Sequence, residues 1–149
     1  MAAFVQAREA AQEGTVLIRN LNSTLPLSPT AIRQGTLRVS LVGPLADGAE
    51  VSGAYIGSYA AAGVPAQSAW HAMNEAVYGA ANSTERLRYA CGAGVNDRNI
   101  NTSMIAEAVR LAQSSDVVVL FLGDTPNQVG EWKDRSTLDL LPSQMALLE

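Results

Sequence analysis

The apolar positions of this chain follow a helical period in three segments. Residues 105–112 form the clearest predicted helix, because their apolar side chains recur every three or four positions while Glu107 and Arg110 fall on the other side. Residues 4–13 and 68–78 are two further predicted helices, rich in alanine and other good helix formers.

Capping residues agree with these helix boundaries. Gly14 follows the first helix and Gly79 follows the one at 68–78, and a glycine just past a helix commonly ends it. Ser68 is placed to accept a backbone N–H as an N-cap. The local chemistry therefore supports both ends of the helix at 68–78.

Three shorter segments have the pattern of strands. Residues 37–42 and 86–91 alternate polar and apolar side chains, and residues 117–122 are six apolar side chains in succession. A continuous run of this kind is typical of a central parallel strand that is covered on both faces. Because strands and helices alternate, we predict an α/β fold, a three-layer α/β/α sandwich around a mainly parallel sheet. The chain stops within a further predicted helix, so we expect the sandwich to be incomplete at its C-terminus.

The first part of the chain differs from the rest. After the first predicted helix comes a short apolar strand at residues 15–19, and then a connector at 25–29 in which two prolines exclude regular structure. We therefore divide the chain into residues 1–35, with a helix, a strand and a proline-containing connector, and residues 36–149, a partial sandwich domain. A segment rich in glycine and alanine at residues 54–64 is predicted to be a loop.

Composition narrows the classes of function. The 149 residues are 48% hydrophobic and 16% charged with a net charge of −4, which suits a globular domain and gives no basic surface for nucleic acid. The longest apolar run has six residues, against about 18 for a membrane-spanning helix. We therefore predict neither a nucleic-acid partner nor a membrane partner.

Cofactor and metal motifs are missing from the sequence. The turn at residues 43–48 has neither the dinucleotide fingerprint nor the Lys-Ser/Thr of a phosphate loop, so it is interpreted as an ordinary strand-to-loop turn. Cys91 and His71 are the only residues of their types, and they suggest neither a metal cluster nor a catalytic triad. We interpret Cys91 as a small packed hydrophobic residue and predict no cofactor and no metal.

Four carboxylates follow the strongest strand pattern, at Asp124, Glu131, Asp134 and Asp139. Open α/β sheets carry their chemistry on loops beyond the carboxyl ends of the strands, so this region is the first place to look for a site. Asp134 and Arg135 are interpreted as a local ion pair or as a unit that pins the loop. Asp139 is predicted to lie on an exposed edge.

Glu131 differs from the other three carboxylates in its neighbours. Gly130 makes its turn flexible, and Trp132 offers an apolar face beside it. A carboxyl group beside an aromatic ring can have its proton affinity raised by desolvation, as a general acid requires. Trp132 is equally interpretable as a sugar-stacking side chain and as an anchor that packs the loop on the core.

Short segments in the same order resemble the α/β sandwich domain of glycoside hydrolase family 3, the β-glucosidase and β-xylosidase family. One segment alone carries little weight, but the ordered set covers nearly all of the chain. The segments are AREAAQEGTVLIRN (7–20), TLPL (24–27), VSLVGPLAD (39–47), GSY (57–59), YACG (89–92), AEAV (106–109), DVVVLFLG (116–123), EWKDR (131–135) and LLPSQ (140–144).

The resemblance implies a function that this chain shares with a second domain. In that family a (β/α)₈ barrel precedes the sandwich domain and supplies an Asp nucleophile, and the sandwich commonly supplies the acid/base carboxylate from a loop near the position of Glu131. It therefore implies a retaining β-glycosidase that acts on terminal β-linked glucose or xylose, with a carbohydrate substrate and a missing N-terminal barrel as partners. By this resemblance Glu131 is the acid/base, Trp132 binds substrate, and Asp134 and Arg135 support the loop.

This chain departs from the commoner form of the family motif at one point. That form has a glycine after the Glu, whereas here Gly130 precedes Glu131 and Trp132 follows it. Because the nucleophile lies outside these residues, the resemblance implies that residues 1–35 connect two domains and that the isolated chain is inactive.

Two other functions remain open on the sequence. One is a non-catalytic Rossmann-like or flavodoxin-like module that binds a nucleotide or another small ligand. The other is a structural sandwich domain whose parent protein takes its acid/base from elsewhere.

Overall fold

The computed structural model describes residues 2–47, 67–79, 87–95 and 100–149, so the predicted loop at 54–64 lies outside the described residues. A single turn of 3₁₀ helix spans Leu21–Ser23. The longer elements, in chain order, are α1 (Ala2–Gly14), α2 (Pro29–Arg33), β1 (Val39–Val42), α3 (Ala69–Tyr78), β2 (Arg88–Ala90), α4 (Ile105–Gln113), β3 (Val117–Leu120) and α5 (Pro142–Leu148).

The three helices predicted from periodicity are confirmed as α1, α3 and α4. At the start of α3 the Ser68 hydroxyl accepts the backbone N–H of His71 at 3.2 Å, as expected of an N-cap. At its end Gly79 has a φ of 85°, which glycine adopts at little cost, and its N–H donates to the Glu75 carbonyl at 2.9 Å. Local sequence chemistry therefore sets both ends of this helix.

In the described ranges the sheet has three parallel strands, in the order β2-β1-β3. Val42 of β1 pairs with Ala90 of β2 on one side and with Leu120 of β3 on the other, so all three strands end at the same edge. Each strand is shorter than its sequence pattern by two or more residues. The predicted α/β fold with a parallel sheet is confirmed.

The central strand of the described part of the sheet is β1, which has a neighbour on each side, whereas β3, for which the apolar run favoured a central position, has one described neighbour. All four residues of β1 are buried, whereas the residues of β3 are half-buried and Leu120 is 40% exposed. The six-residue apolar run indicates that the side chains on both faces of β3 are apolar. It does not report how many neighbours the strand has, which depends on pairing across the sheet.

Alternate residues of β1 face two different helical layers. Val39 and Leu41 lie in a core cluster with Ile32 of α2 and Val77 of α3. Val42 lies in a second cluster with Ala108 of α4. The period-2 alternation of a strand thus places helices on both faces of the sheet, which gives the three layers of a sandwich.

An ion pair joins the amino ends of β1 and β3. The Arg38 guanidinium donates to both carboxylate oxygens of Asp116, at 2.6 and 3.0 Å, and the Arg38 backbone N–H donates to the same carboxylate at 2.8 Å. The side-chain hydrogen bonds from Arg38, and then its backbone hydrogen bond, lower the pKa of Asp116 to about 2.

The strand predicted at residues 15–19 does not form. This segment has no regular secondary structure, and Val16, Leu17 and Ile18 are 78%, 62% and 93% exposed. A strand needs a neighbouring strand for its hydrogen bonds, and the described part of the chain places none beside these residues. The Asn20 carboxamide instead bonds both backbone groups of Leu25, at 2.9 and 3.0 Å, and closes a turn.

Candidate functional site

The loops that leave the carboxyl edge of the sheet are tightly joined at their first residues. The Gly43 N–H donates to the Ala90 carbonyl at 3.0 Å, and the Phe121 N–H donates to the Val42 carbonyl at 2.8 Å. Gly43 has a φ of 121°, and a Cβ built there would lie 2.3 Å from the Phe121 carbonyl oxygen. A backbone oxygen therefore faces the turn after β1, where a phosphate-binding loop would need space and N–H donors. This geometry disfavours the nucleotide-binding alternative.

The long loop after β3 is fixed at its base by a buried glutamine. Gln144 is fully buried, its Oε1 accepts the Gly123 N–H at 2.8 Å, and its Nε2 donates to the Gly123 carbonyl at 2.9 Å. The side chain thus satisfies both backbone groups of the residue at which the loop begins. This pairing joins the start of the loop to the first turn of α5.

Arg135 forms a second connection across the loop, and its ion-pair partner is Asp124 and not the predicted Asp134. Its guanidinium donates to the Asp124 carboxylate and to the Asp139 carbonyl. The predicted Asp134–Arg135 ion pair is wrong, and among the described residues Asp134 is an exposed side chain without an ion pair. Adjacent side chains compete poorly with a carboxylate that the fold brings across the loop, eleven positions away. The expectation that Asp139 is exposed is confirmed.

Asp124 is the least exposed of the four carboxylates that follow β3. Its side chain is 25% exposed, and its Oδ1 atom is buried with no hydrogen-bond partner among the described residues. The charge of this carboxylate is therefore compensated on one side only, by Arg135. Removing the arginine would leave a partly buried charge unpaired, which makes the pair a structural requirement of the loop.

Glu131 and Trp132 occupy the two central positions of a tight turn at the tip of the loop. Gly130 and Lys133 form an antiparallel bridge, and the Lys133 N–H donates to the Gly130 carbonyl at 3.1 Å. Trp132 has a φ of 65°, a left-handed conformation that glycine or asparagine normally supplies at the third position of a turn. The backbone thus adopts at Trp132 the conformation that a glycine after the Glu would favour.

Both side chains at the tip face outward. Trp132 is 93% exposed, so it does not pack on the core of the described chain and is not a loop anchor there. Glu131 is exposed as well, and the ring of its neighbour does not enclose it. Any apolar enclosure of this carboxyl group must come from outside the described residues.

A serine, a histidine and an aspartate also meet near the start of α3. Ser68 Oγ lies 2.8 Å from Asp47 Oδ1 and 2.9 Å from His71 Nδ1, and the same His71 Nδ1 lies 3.5 Å from Asp47. A catalytic triad uses opposite nitrogens of the ring for the serine and the carboxylate. Here both approach one nitrogen while Ser68 caps the helix, so the cluster is a capping arrangement.

The remaining chemistry-bearing residues give no second site within the described ranges. Cys91, the single cysteine of the sequence, is half-buried, and its Sγ lies 3.0 Å from the Ala93 carbonyl oxygen. The described ranges contain no group of three or more His, Cys, Asp or Glu that would hold a metal ion. They also contain no helix long and apolar enough to cross a membrane.

The partners of three residues at this site were not identified from the sequence. Gly43, Asp124 and Gln144 act through partners that are distant along the chain, so no local pattern marks them. The Pro-Ser-Gln segment after paired leucines was the one available signal for Gln144. It indicated a helix start, and the role of the glutamine at Gly123 emerged only from the packing of α5.

Fold and loop together define the class: an α/β sandwich domain that presents a carboxylate from a pinned loop beyond the carboxyl edge of a parallel sheet. The sequence model of the glycosyl hydrolase family 3 C-terminal domain matches residues 15–149. The chain belongs to glycoside hydrolase family 3.

Individual relatives agree with this assignment. The periplasmic beta-glucosidase of Salmonella typhimurium is 33% identical over 96% of this chain and 20% of the relative. Beta-D-xylosidase 3 of Arabidopsis thaliana is 34% identical over 95% of this chain and 16% of the relative. The probable exo-1,4-beta-xylosidase bxlB of Aspergillus terreus is 33% identical over 96% of this chain and 16% of the relative. The chain thus spans about a fifth or less of the length of these relatives.

Proposed function

We propose that this chain is the acid/base-bearing part of a retaining β-glycosidase that releases terminal β-linked glucose or xylose. The observation that carries the proposal is the position of Glu131, at the exposed tip of a loop whose base is fixed in two places. Family membership supplies the reaction class, and the beta-glucosidase and beta-xylosidase relatives supply the sugar class.

In this proposal Glu131 moves protons and a second domain performs the covalent step. An Asp of the preceding barrel attacks the anomeric carbon while Glu131 donates a proton to the leaving oxygen. Glu131 then accepts a proton from the water that hydrolyses the glycosyl-enzyme intermediate. Retention requires the two carboxyl groups to lie roughly 5–5.5 Å apart, so the domains must bring the loop tip against the barrel site.

The pinned loop supports this role in two ways. Gln144 and Arg135 hold the ends of the loop in place. The position of the tip relative to the sheet is therefore restricted, and the tip can be presented to a facing surface. Trp132 then offers an exposed aromatic face beside the carboxylate, and such a face suits the apolar side of a sugar ring. The facing domain would supply the enclosure that the described residues lack.

The acid role is tested in the full-length parent enzyme by Glu131→Ala. We expect kcat/KM to fall about 10²–10⁴-fold on substrates with poor leaving groups, such as cellobiose, and far less on a dinitrophenyl glycoside that needs no protonation. Added azide should restore turnover of the activated substrate, because an anionic nucleophile needs no general base. Glu107→Ala, an exposed glutamate on α4, is the matched control. Equal losses on both substrates would remove Glu131 from this role and favour a structural domain.

The division of the site between two domains predicts that the isolated chain has no activity. Incubation of the purified chain with aryl β-glucosides and β-xylosides should release no phenol above background. Turnover by this chain that Glu131→Gln abolishes would contradict the proposal, because it would require a nucleophile within these residues.

A further inference from the structure

The tip of the Glu131 loop has a connection of its own, separate from the two that hold the ends of the loop. The side chain of Lys133 folds back across the loop, and its Nζ donates a hydrogen bond to the backbone carbonyl of Pro126, seven positions earlier. Lys133 is also the residue whose N–H closes the tip turn on the Gly130 carbonyl. The turn that carries Glu131 is therefore tied to the segment that leads into it.

The acceptor of this hydrogen bond belongs to an ordered turn. The N–H groups of Gln128 and Val129 donate to the Thr125 carbonyl at 2.9 and 3.2 Å. The Gln128 Oε1 accepts the Thr125 N–H at 2.8 Å, and Thr125 is only 5% exposed. The ring of Pro126 also restricts its own φ. The Pro126 carbonyl is therefore a well-ordered acceptor to which Lys133 can bind the tip.

The energetics of this contact favour a local role over a contribution to the stability of the whole domain. Lys133 is exposed, so its hydrogen bond replaces one to water, and ordering a lysine side chain costs conformational entropy that offsets most of the gain. The tip turn also contains Trp132, whose positive φ a non-glycine residue adopts only at a cost. The consequence of the Lys133 contact is therefore the orientation of this short turn.

We propose that Lys133 is a positioning residue for Glu131: through Pro126 it fixes the orientation in which the tip turn presents the carboxyl group to the leaving oxygen. This inference rests on the proposed acid/base role of Glu131 and deepens it. A general acid must lie within hydrogen-bond reach of the oxygen that it protonates, about 2.6–3.2 Å, and a displacement of about 1 Å can lower the rate about 10²-fold. Lys133 transfers no proton and acts only through the position of Glu131.

The contact is tested first in the isolated chain, in which Lys133 is the only lysine. Isotopic labelling of lysine alone therefore gives a single Cε signal in a proton–carbon NMR spectrum, with no ambiguity of assignment. We expect inequivalent Cε protons with nuclear Overhauser contacts to Pro126. Equivalent Cε protons without such contacts, as in a freely rotating side chain, would overturn the proposal.

The effect on catalysis is tested in the full-length parent with Lys133→Met, which keeps the aliphatic stem and removes the donor. We expect kcat/KM on cellobiose to fall about 10–100-fold, mainly through kcat, with little change on a dinitrophenyl glycoside. The thermal unfolding midpoint should not change. Lys133→Arg should retain most of the activity, because a guanidinium can donate to the same carbonyl. Arg110→Met, which removes an exposed cation from α4, is the matched control and should be as active as the unsubstituted parent.

Losses of another kind would contradict the proposal. Equal losses on both substrates, or a lower unfolding midpoint, would mean that Lys133 supports the fold of the loop and not the position of Glu131. A shift of the alkaline limb of the pH–rate profile in Lys133→Met would mean that the charge of Lys133 acts on the site. If Glu131→Ala shows the loss that depends on the leaving group and Lys133→Met does not, this inference fails and the acid/base role stands. If Glu131→Ala lowers both activities equally, both fail.

Discussion

The close approach of Gly43 to Phe121 gives the sharpest test of how the carboxyl edge of the sheet is assembled. Gly43 is buried, its φ is 121°, and an added Cβ would lie 2.3 Å from the carbonyl oxygen of Phe121 and 2.9 Å from its carbonyl carbon. The neighbouring atoms are backbone and cannot rotate away as a flexible side chain would. Gly43→Ala must therefore displace the start of the loop that carries Glu131.

The cost of this substitution has two parts. A residue with a Cβ at a positive φ costs about 1–2 kcal/mol, and an extra methyl group in a packed site costs about 1–3 kcal/mol. Gly43→Ala should therefore lower the free energy of unfolding by about 2–5 kcal/mol. This is a large fraction of the roughly 5–15 kcal/mol that stabilises an ordinary domain.

Gly35→Ala separates the two parts. Gly35 also has a positive φ, of 72°, but a Cβ there would meet no atom within 4 Å. Equilibrium unfolding in urea, followed by circular dichroism, should show a loss of about 1–2 kcal/mol for Gly35→Ala and a further loss of about 1–3 kcal/mol for Gly43→Ala. Equal losses for the two variants would refute the close approach of the two loops.

Three further outcomes are expected. Gln144→Ala should lower the free energy of unfolding by about 2–4 kcal/mol, measured by urea unfolding, because it removes two hydrogen bonds to Gly123 and leaves backbone groups unsatisfied. Asp116→Asn should destabilise the chain at neutral pH. The pKa of Asp116 is about 2 in the folded chain against 3.8 in the unfolded chain. The stabilisation by its charge is therefore present above pH 3.8 and is lost as the pH falls through about 2. The thermal unfolding midpoints of the variant and of the unsubstituted chain should converge at that pH. Trp132→Gly should be more stable than Trp132→Ala by about 1 kcal/mol in the same unfolding assay. Both variants lose the indole ring, but only glycine adopts the positive φ of this position without backbone strain.

Each of these outcomes has a control or a contradicting result. Gln113→Ala, on the exposed surface of α4, should leave stability within about 0.5 kcal/mol. If Asp116→Asn destabilises the chain equally at every pH down to about 2, the charge of Asp116 is not the cause of its stabilising effect. A Trp132→Ala variant as stable as Trp132→Gly would mean that the turn at Glu131 is not strained.

The sequence alone determined the elements and the class of fold. Periodicity located α1, α3 and α4, and Ser68 and Gly79 marked the ends of α3, because these signals depend on neighbours along the chain. The alternation of helices and strands then indicated a parallel α/β sandwich. The same local information pointed to the loop after β3 and to Glu131 as its conspicuous carboxylate, whose role remains a proposal.

Only the tertiary structure decided which residues act together. It made β1 the central strand, left residues 15–19 exposed, and gave Arg135 its partner in Asp124. It also placed Gln144 against Gly123 and Phe121 against Gly43. Strand order, ion-pair choice and close backbone approach all depend on atoms that are far apart along the chain, and no local pattern of apolar and polar residues records those distances.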